Sequence, residues 1–272
     1  MRILVTGAGG LVGSTLAQLG GSELTPATRQ QLDITDTDAL CAILDVLRPD
    51  AVINAAAQAN VDRAEVDPEH SDEVNGHAVA RMAAACAARK IRLVHISTDY
   101  VLDNPELDEL TEDLVPRPRS VYARSKLIGE AAAVAEGAAV VRVQWVYAPG
   151  ERGFFNAALR RLEAGQPLSL VVDQVGRPTP AALVARGLLA VARAGPGGLF
   201  HLACGGEVSA HDWIAAAAAA RGLSVAGASE TTRAVLGGAH RPARSCLNSD
   251  RFAAAWGVRL PAWDVALAAA MG

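Results

Sequence analysis

Thr6-Gly7-Ala8-Gly9-Gly10-Leu11-Val12-Gly13 stands between an apolar run, Ile3-Leu4-Val5, and a stretch with helical spacing, Leu11 to Leu19. Glycine in that position predicts a tight turn from a buried parallel strand into a helix. Gly7 permits the turn, Gly10 keeps side-chain bulk away from an approaching pyrophosphate, and Gly13 lets helix and strand pack closely. The helix start, at Leu11 and Val12, supplies unpaired N–H groups and the positive end of the helix dipole. A dinucleotide held at these positions is therefore expected; the alternative, a plain glycine loop, seldom falls between an opening strand and a helix. The Gly7-x-x-Gly10-x-x-Gly13 spacing departs from the standard G-x-G-x-x-G fingerprint.

Through the first half of the chain, apolar segments alternate with alanine-rich helical ones. Strands are predicted at Arg2 to Thr6, Ala51 to Asn54, Leu93 to Ser97 and Ala139 to Val143, and helices at Asp38 to Leu47, Glu73 to Arg89 and Val121 to Ala135. This alternation predicts an α/β fold with a Rossmann-type doubly wound parallel sheet. A second strand within Ser22 to Thr28 carries Pro26, which leaves its boundaries open. After Ala148 the segments Gly150 to Gly153, Gln166-Pro167, Gly176 to Pro180 and Gly195 to Gly198 are turn-rich, with helices expected at His211 to Arg221 and Asp264 to Met271. The division that follows is a dinucleotide-binding domain over 1–150, to which 179–203 return, and a small C-terminal substrate-binding lobe from 151–178 and 204–272.

A chain of 272 residues, 51% of them hydrophobic, can bury a sizeable core. Its formal charge of -4 and lack of a basic run argue against a nucleic-acid partner. No apolar stretch approaches a membrane span and the first residues read as a core strand, so no membrane partner and a cytoplasmic location are expected. Cys41, Cys86, Cys204 and Cys246 are widely separated, which suggests buried thiols and neither disulfides nor zinc. His70 and His77 lack partners at metal-ligand spacing, and His95 and His201 sit in apolar strands as core histidines would. No metal is expected, and no G-x-S-x-G surrounds Ser97, so a hydrolase is discounted.

The chemistry is carried by Tyr122 and Lys126, four apart on a predicted helix and so on one face of it. Reducing a ketone requires an acid that protonates the oxygen as hydride reaches the carbon. Tyrosine alone, with a pKa of about 10, is a reluctant donor, and a nearby lysine cation favours phenolate. Thr98, at the end of the fourth strand, can hydrogen-bond the same carbonyl oxygen from the sheet edge where ligands collect. An exposed Tyr and Lys on an ordinary helix is the duller alternative. What argues against it is order: glycine turn, hydroxyl-ended strand, then the pair.

The segments Leu32-Asp33-Ile34-Thr35-Asp36, Ile53-Asn54-Ala55-Ala56-Ala57, Val61-Asp62-Arg63-Ala64-Glu65, Ser97-Thr98-Asp99-Tyr100-Val101, Tyr122-Ala123-Arg124-Ser125-Lys126-Leu127, Trp145-Val146-Tyr147, Asp173-Gln174-Val175-Gly176 with Pro178-Thr179, and Arg241-Pro242 span nearly the whole chain. Together with the glycine spacing they resemble the dTDP-4-dehydrorhamnose reductase family of extended short-chain dehydrogenases/reductases. The resemblance implies reduction of the 4-keto group of a thymidine-diphosphate 6-deoxyhexose by NADPH or NADH. It implies Tyr122 as proton donor, Lys126 as its lysine and Thr98 as the hydroxyl partner. Asp33 and Ile34 would flank the adenine, Ala55, Ala56 and Ala57 would line the cofactor, and Tyr100 and Trp145 would meet the sugar nucleotide. Asp33 could instead cap the following helix, and Trp145 could be core filling.

With Asp33 assigned to adenine, Arg29 is a candidate partner for a 2′-phosphate, which favours NADPH with NADH tolerated. Arg177 and Arg241 are candidates for the substrate diphosphate, against the alternative of surface arginines. Val101-Leu102-Asp103-Asn104 and Arg177 depart from the family pattern beside the expected sugar pocket, which leaves the sugar open. A homodimer is compatible with this reading. An epimerase or dehydratase of the same superfamily, kept open by Asp99, and a noncatalytic reductase-like regulatory subunit are the alternatives; the first would show no net NADPH consumption.

Overall fold

β1 (Ile3–Thr6) has every residue buried, as a run without polar alternation requires when both faces of a parallel sheet are covered. The computed structural model describes residues 1–150 and 153–272. α1 (Leu11–Leu19) follows the glycine turn, and β2 (Leu24–Ala27) lies beside β1 with Val5 opposite Pro26. Proline lacks an N–H for the ladder, and the fold tolerates it because β2 is the edge strand of the sheet. α2 (Thr37–Leu47), capped by Asp36, leads to β3 (Ala51–Asn54), and α3 (Ala78–Ala88) to β4 (Arg92–Thr98). α4 (Val121–Ala135) then leads to β5 (Ala139–Val143).

The chain direction across the sheet reverses at β1, with β2 on one side and β3, β4 and β5 in turn on the other. The crevice between the C-terminal ends of β1 and β3 is where such sheets bind ligands. Further along, α5 (Ala181–Arg193) and β6 (Gly198–Leu202) rejoin this sheet, β6 pairing in parallel with β5 as its sixth strand. One face is packed by α1 and α5 through Leu16, Val184 and Leu188, the other by α2 and α3 through Leu40, Leu44 and Met82.

The helix expected from Glu73 to Arg89 does not run uninterrupted. Glu73–His77 forms a π-helical turn before α3. Asn75 within it exchanges hydrogen bonds with the Gln58 backbone and also donates to Ser125 Oγ at 3.0 Å. The contact with α4 is close enough that a Cβ on Gly129 would strike Asn75 O. The widened turn brings its side chains to the cleft beside the sheet, a frequent use of such bulges.

The remaining segments form small sheets: Ser169–Val171 pairs with Ser229–Thr231, and Val175–Gly176 lies between Val208–Ser209 and Arg244–Ser245. Helices Gly153–Glu163 and Ala210–Ala220 close over them around Tyr147, Phe155 and Trp213. The turn expected over Gly150 to Gly153 includes Glu151 and Arg152, which lie outside the described residues, as does the lobe boundary placed at 151. No helix among the described residues is long and apolar enough to cross a membrane.

Candidate active site

The glycine turn opens onto a cavity of about 240 Å³ lined by Gly7, Gly10, Arg29, Asp33, Ile34, Ala55, Ala56 and Ala57. Gly7 has φ of 70°, and a Cβ there would collide with the Ala55–Ala56 backbone. A Cβ at Gly13 would strike Gly7 O, so this helix can approach the strand only without a side chain at that position. Val12 leans on the core instead of the cavity, and Leu11 faces a second cavity. The Gly10 N–H bonds Gly7 O at 2.9 Å, and the N-cap of α1 at Gly10 has no side-chain partner. Bare backbone at a helix N-terminus suits a phosphate group.

Asp33 Oδ1 accepts from Thr35 N–H at 3.0 Å and from Thr35 Oγ1 at 2.8 Å, while Oδ2 accepts from Arg29 Nε at 3.1 Å. The Thr35 backbone bond is the main cause holding this carboxyl below its usual range. Helix α2 is capped by Asp36 and not by Asp33. The Arg29 side chain is 70% exposed at the cavity rim. Gln58, His70 and Val74 also line this cavity, Val74 from the π turn; sequence reading did not single them out as site residues.

The second cavity, about 320 Å³ and mostly apolar, is lined by Leu11, Tyr100, Trp145, Gln174, Leu236 and Arg241 among others. Successive residues of the helix start line the two cavities, Gly10 the first and Leu11 the second. Trp145 has φ of 39°, uncommon for a bulky residue, and its ring lies 5.8 Å from Trp213. A Cβ on Gly176 would meet the Trp145 indole at 2.6 Å, so this glycine makes room for the ring. Gln174 and Tyr100 line this cavity together. Gln174 lay in a segment carrying the resemblance, but nothing in its spacing marked it as a site residue.

The two candidate arginines separate. Arg241 lines the second cavity, its guanidinium braced by Asp62 Oδ2 at 2.6 Å and Ala239 O at 3.0 Å. Arg177 is not brought to either cavity: it donates to Leu247 O at 2.8 Å and Glu109 Oε1 at 2.5 Å. Arg177 is thus not among the candidate site residues that the structure brings together here.

The reacting groups adjoin the second cavity through Tyr100. The Thr98 hydroxyl donates to Asp99 Oδ1 at 3.1 Å and accepts from Tyr100 N–H at 3.2 Å. Ser120 caps α4, so Tyr122 lies in its first turn, edge-on to Tyr100 with centroids 5.8 Å apart. Burial pushes the Tyr122 phenol up to about 12, the Thr98 hydroxyl pulling down and the Asp99 charge adding to the rise. The expected ammonium effect does not offset this. Lys126 Nζ is held on the strand side, 2.7 Å from Ile96 O and 3.2 Å from His95 Nε2.

Asp99 is buried, its second oxygen accepting from Ser245 of the Arg244–Ser245 strand. Burial pushes its carboxyl up to about 6, against hydrogen bonds from Ser245 and Thr98. The folded protein thus keeps this proton to about pH 6, whereas an unfolded aspartate releases it near 3.8. Between those values the native state binds more protons, so rising pH removes up to ~1.4 kcal/mol per pH unit. Asp99→Asn should abolish that component. In paired urea titrations over about pH 4 to 6, the wild type should lose stability relative to the variant as pH rises; parallel curves would refute the assignment.

Fold and site together define the class, an extended short-chain dehydrogenase/reductase. The RmlD substrate binding domain model matches residues 1–272. The chain belongs to this family, as the resemblance in its motifs implied. The dTDP-4-dehydrorhamnose reductase of Mycolicibacterium smegmatis is 39% identical, over 98% of this chain and 84% of its own length. The dTDP-4-keto-6-deoxy-D-glucose reductase of Streptomyces niveus is 36% identical over 78% of this chain and 75% of its own. Among solved structures, dTDP-4-dehydrorhamnose reductase from Bacillus anthracis in complex with NADP superposes with a TM-score of 0.92 at 25% identity, covering 99% of this chain and 98% of that one.

Proposed function

We propose that this protein is an NADPH-preferring reductase of the 4-keto group of a dTDP-4-keto-6-deoxyhexose, with dTDP-4-dehydrorhamnose as the substrate of choice, acting in the cytoplasm. The observation that carries this reading is Tyr122 in the first turn of α4, edge-on to Tyr100 of the aromatic cavity, with the Thr98 hydroxyl accepting from the Tyr100 N–H beside it. Gly7, Gly10 and Gly13 shape the turn that would hold the pyrophosphate, with Asp33, Ile34 and Ala55 to Ala57 along the rest of the dinucleotide. When bound, the reduced nicotinamide supplies the hydride. Tyr122 gives its proton to the sugar oxygen, and Thr98 would turn its one hydroxyl proton from Asp99 Oδ1 to that oxygen when the substrate is bound. Lys126 as the ammonium stabilises the phenolate left behind and can hydrogen-bond the nicotinamide ribose. Tyr100, Trp145 and Arg241 would receive the sugar nucleotide in the lobe formed by 151–178 and 204–272.

The test is NADPH oxidation with a panel of thymidine-diphosphate 4-keto sugars, followed by product stereochemistry. One NADPH consumed per alcohol formed is expected. Turnover without net consumption would replace the reductase with an epimerase or dehydratase.

Cofactor preference rests on Arg29, a mobile-length cation at the rim near Asp33. Arg29→Ala should lower kcat/KM for NADPH by about 10- to 100-fold, the worth of a charge-assisted phosphate contact, and leave NADH nearly unchanged. A higher kcat/KM with NADH in the wild type would remove Arg29 from this role.

A further inference from the structure

Thr6, Asn54, His95 and Lys126 make a buried polar line from the C-terminal ends of β1 and β3 through the middle of β4 to α4. Thr6 Oγ1 donates to Asn54 Oδ1 at 2.7 Å, and the Ala56 backbone N–H donates to the same oxygen at 3.1 Å. A backbone N–H can only donate, so the Ala56 contact fixes which way the Asn54 amide faces. Asn54 Nδ2 then donates to His95 Nδ1 at 3.1 Å. With Nδ1 accepting, the ring proton of neutral His95 is on Nε2. Nε2 lies 3.2 Å from Lys126 Nζ. An N–H aimed at an ammonium sets donor against donor, whereas a neutral amine offers one lone pair to His95 and an N–H to Ile96 O at 2.7 Å.

We propose that His95 is a positioning residue that holds Lys126 as the neutral amine in the cofactor-free protein, so that forming the ammonium requires breaking the His95 contact and taking a proton from solvent. The catalytic meaning rests on the reductase reading; the donor–acceptor geometry does not. The surroundings agree. Burial lowers Lys126 to about 8, with the Glu130 charge opposing, so that the neutral amine is the major form above that pH, and burial together with Lys126 holds His95 well below its ordinary value.

Glu130, one turn along α4, favours the ammonium but is itself paired with Arg142 of β5. Tyr122 on the same helix and Asp99 after β4 belong to the reacting cluster. On the segments packed against α4, Glu65 accepts from Val121 N–H and Glu73 pairs with Arg81. The direct partners of Nζ are therefore His95 and a backbone carbonyl, and the tautomer of the imidazole decides which form of the amine fits.

Lys90 and Lys126 are the two lysines of the chain. Protein labelled with 13C at lysine Cε gives two resonances, assigned with Lys90→Arg and titrated without cofactor or substrate. Lys126 is expected to titrate about two pH units or more below the ordinary lysine value of about 10.4. His95→Gln, whose side-chain oxygen can accept from an ammonium, is expected to raise the Lys126 midpoint by about one unit or more. A purely structural role for His95 would leave that midpoint in place. Long-range 1H–15N spectra of the wild type report the His95 tautomer directly and decide the matter should His95→Gln fail to fold. A proton on Nδ1, or an unmoved Lys126 midpoint in folded His95→Gln, overturns the proposal. Neither readout uses the reductase assay, so failure of the substrate reading leaves this result standing, and the reverse.

Discussion

Tyr122→Phe should bind NADPH within about twofold of the wild type while kcat falls by a hundredfold or more, the usual contribution of a positioned general acid. The substitution removes one oxygen and little else. The ring keeps its edge-on packing against Tyr100, and the Thr98 hydroxyl keeps its bonds to Asp99 Oδ1 and Tyr100 N–H, so no buried donor is orphaned. The cavity bordered by the glycine turn does not include Tyr122. Fluorescence titration with NADPH and single-turnover reduction of dTDP-4-dehydrorhamnose separate the two effects. A variant of full turnover would require another acid, and parallel losses in binding and kcat would mean that the phenol chiefly shapes the cofactor site.

The parts of this molecule legible in the sequence were those fixed by local pattern. β3 and β5 fall where continuous apolar runs placed them, Ala51–Asn54 and Ala139–Val143, and α4 spans Val121–Ala135 as spacing required. Pro26 obscured β2 because its cost depends on whether the strand is central or at an edge, which only the assembled sheet decides. The π turn at Glu73–His77 was invisible for a similar reason: its cause is Asn75 reaching Gln58 and Ser125, partners 17 and 50 residues away. Arg241 and Arg177 read alike as loop cations. Their fates differ because Asp62 braces one at the cavity and Glu109 draws the other aside. His95 and His201 were read as core histidines; both are buried, but each has a basic side chain, Lys126 or Arg142, that the one-dimensional pattern could not place beside it.

His201 belongs to a second buried cluster, one strand removed from the reacting groups, where the largest stability effect is expected. Arg142 of β5 donates through Nε to Glu130 Oε2 at 2.9 Å and pairs through Nη2 with Glu130 Oε1. Ser97 Oγ of β4 donates to Glu130 Oε2 at 2.7 Å. The remaining Arg142 group, Nη1, donates to His201 Nε2 of β6 at 3.2 Å, and His201 Nδ1 donates to Leu110 O at 3.1 Å. Burial, with Arg142 next, holds His201 down to about 3, so it stays neutral and can accept. One ion pair thus ties α4 to three adjacent strands and anchors Ser97, the residue before Thr98. Both charges are almost wholly enclosed, and removing one strands the other in a medium that cannot solvate it. Glu130→Ala should therefore lose about 3–5 kcal/mol, far beyond the worth of an exposed pair. The pair itself is not expected to be a net gain over apolar packing, because its two desolvation costs oppose its attraction. Glu130→Leu combined with Arg142→Met should accordingly recover much of the stability lost by either change alone, leaving Ser97 and His201 as smaller residual costs. Urea unfolding of the four proteins measures this coupling. Simple addition of the two single losses in the double variant would mean that Glu130 and Arg142 act independently and that the strands are held together by their apolar faces alone.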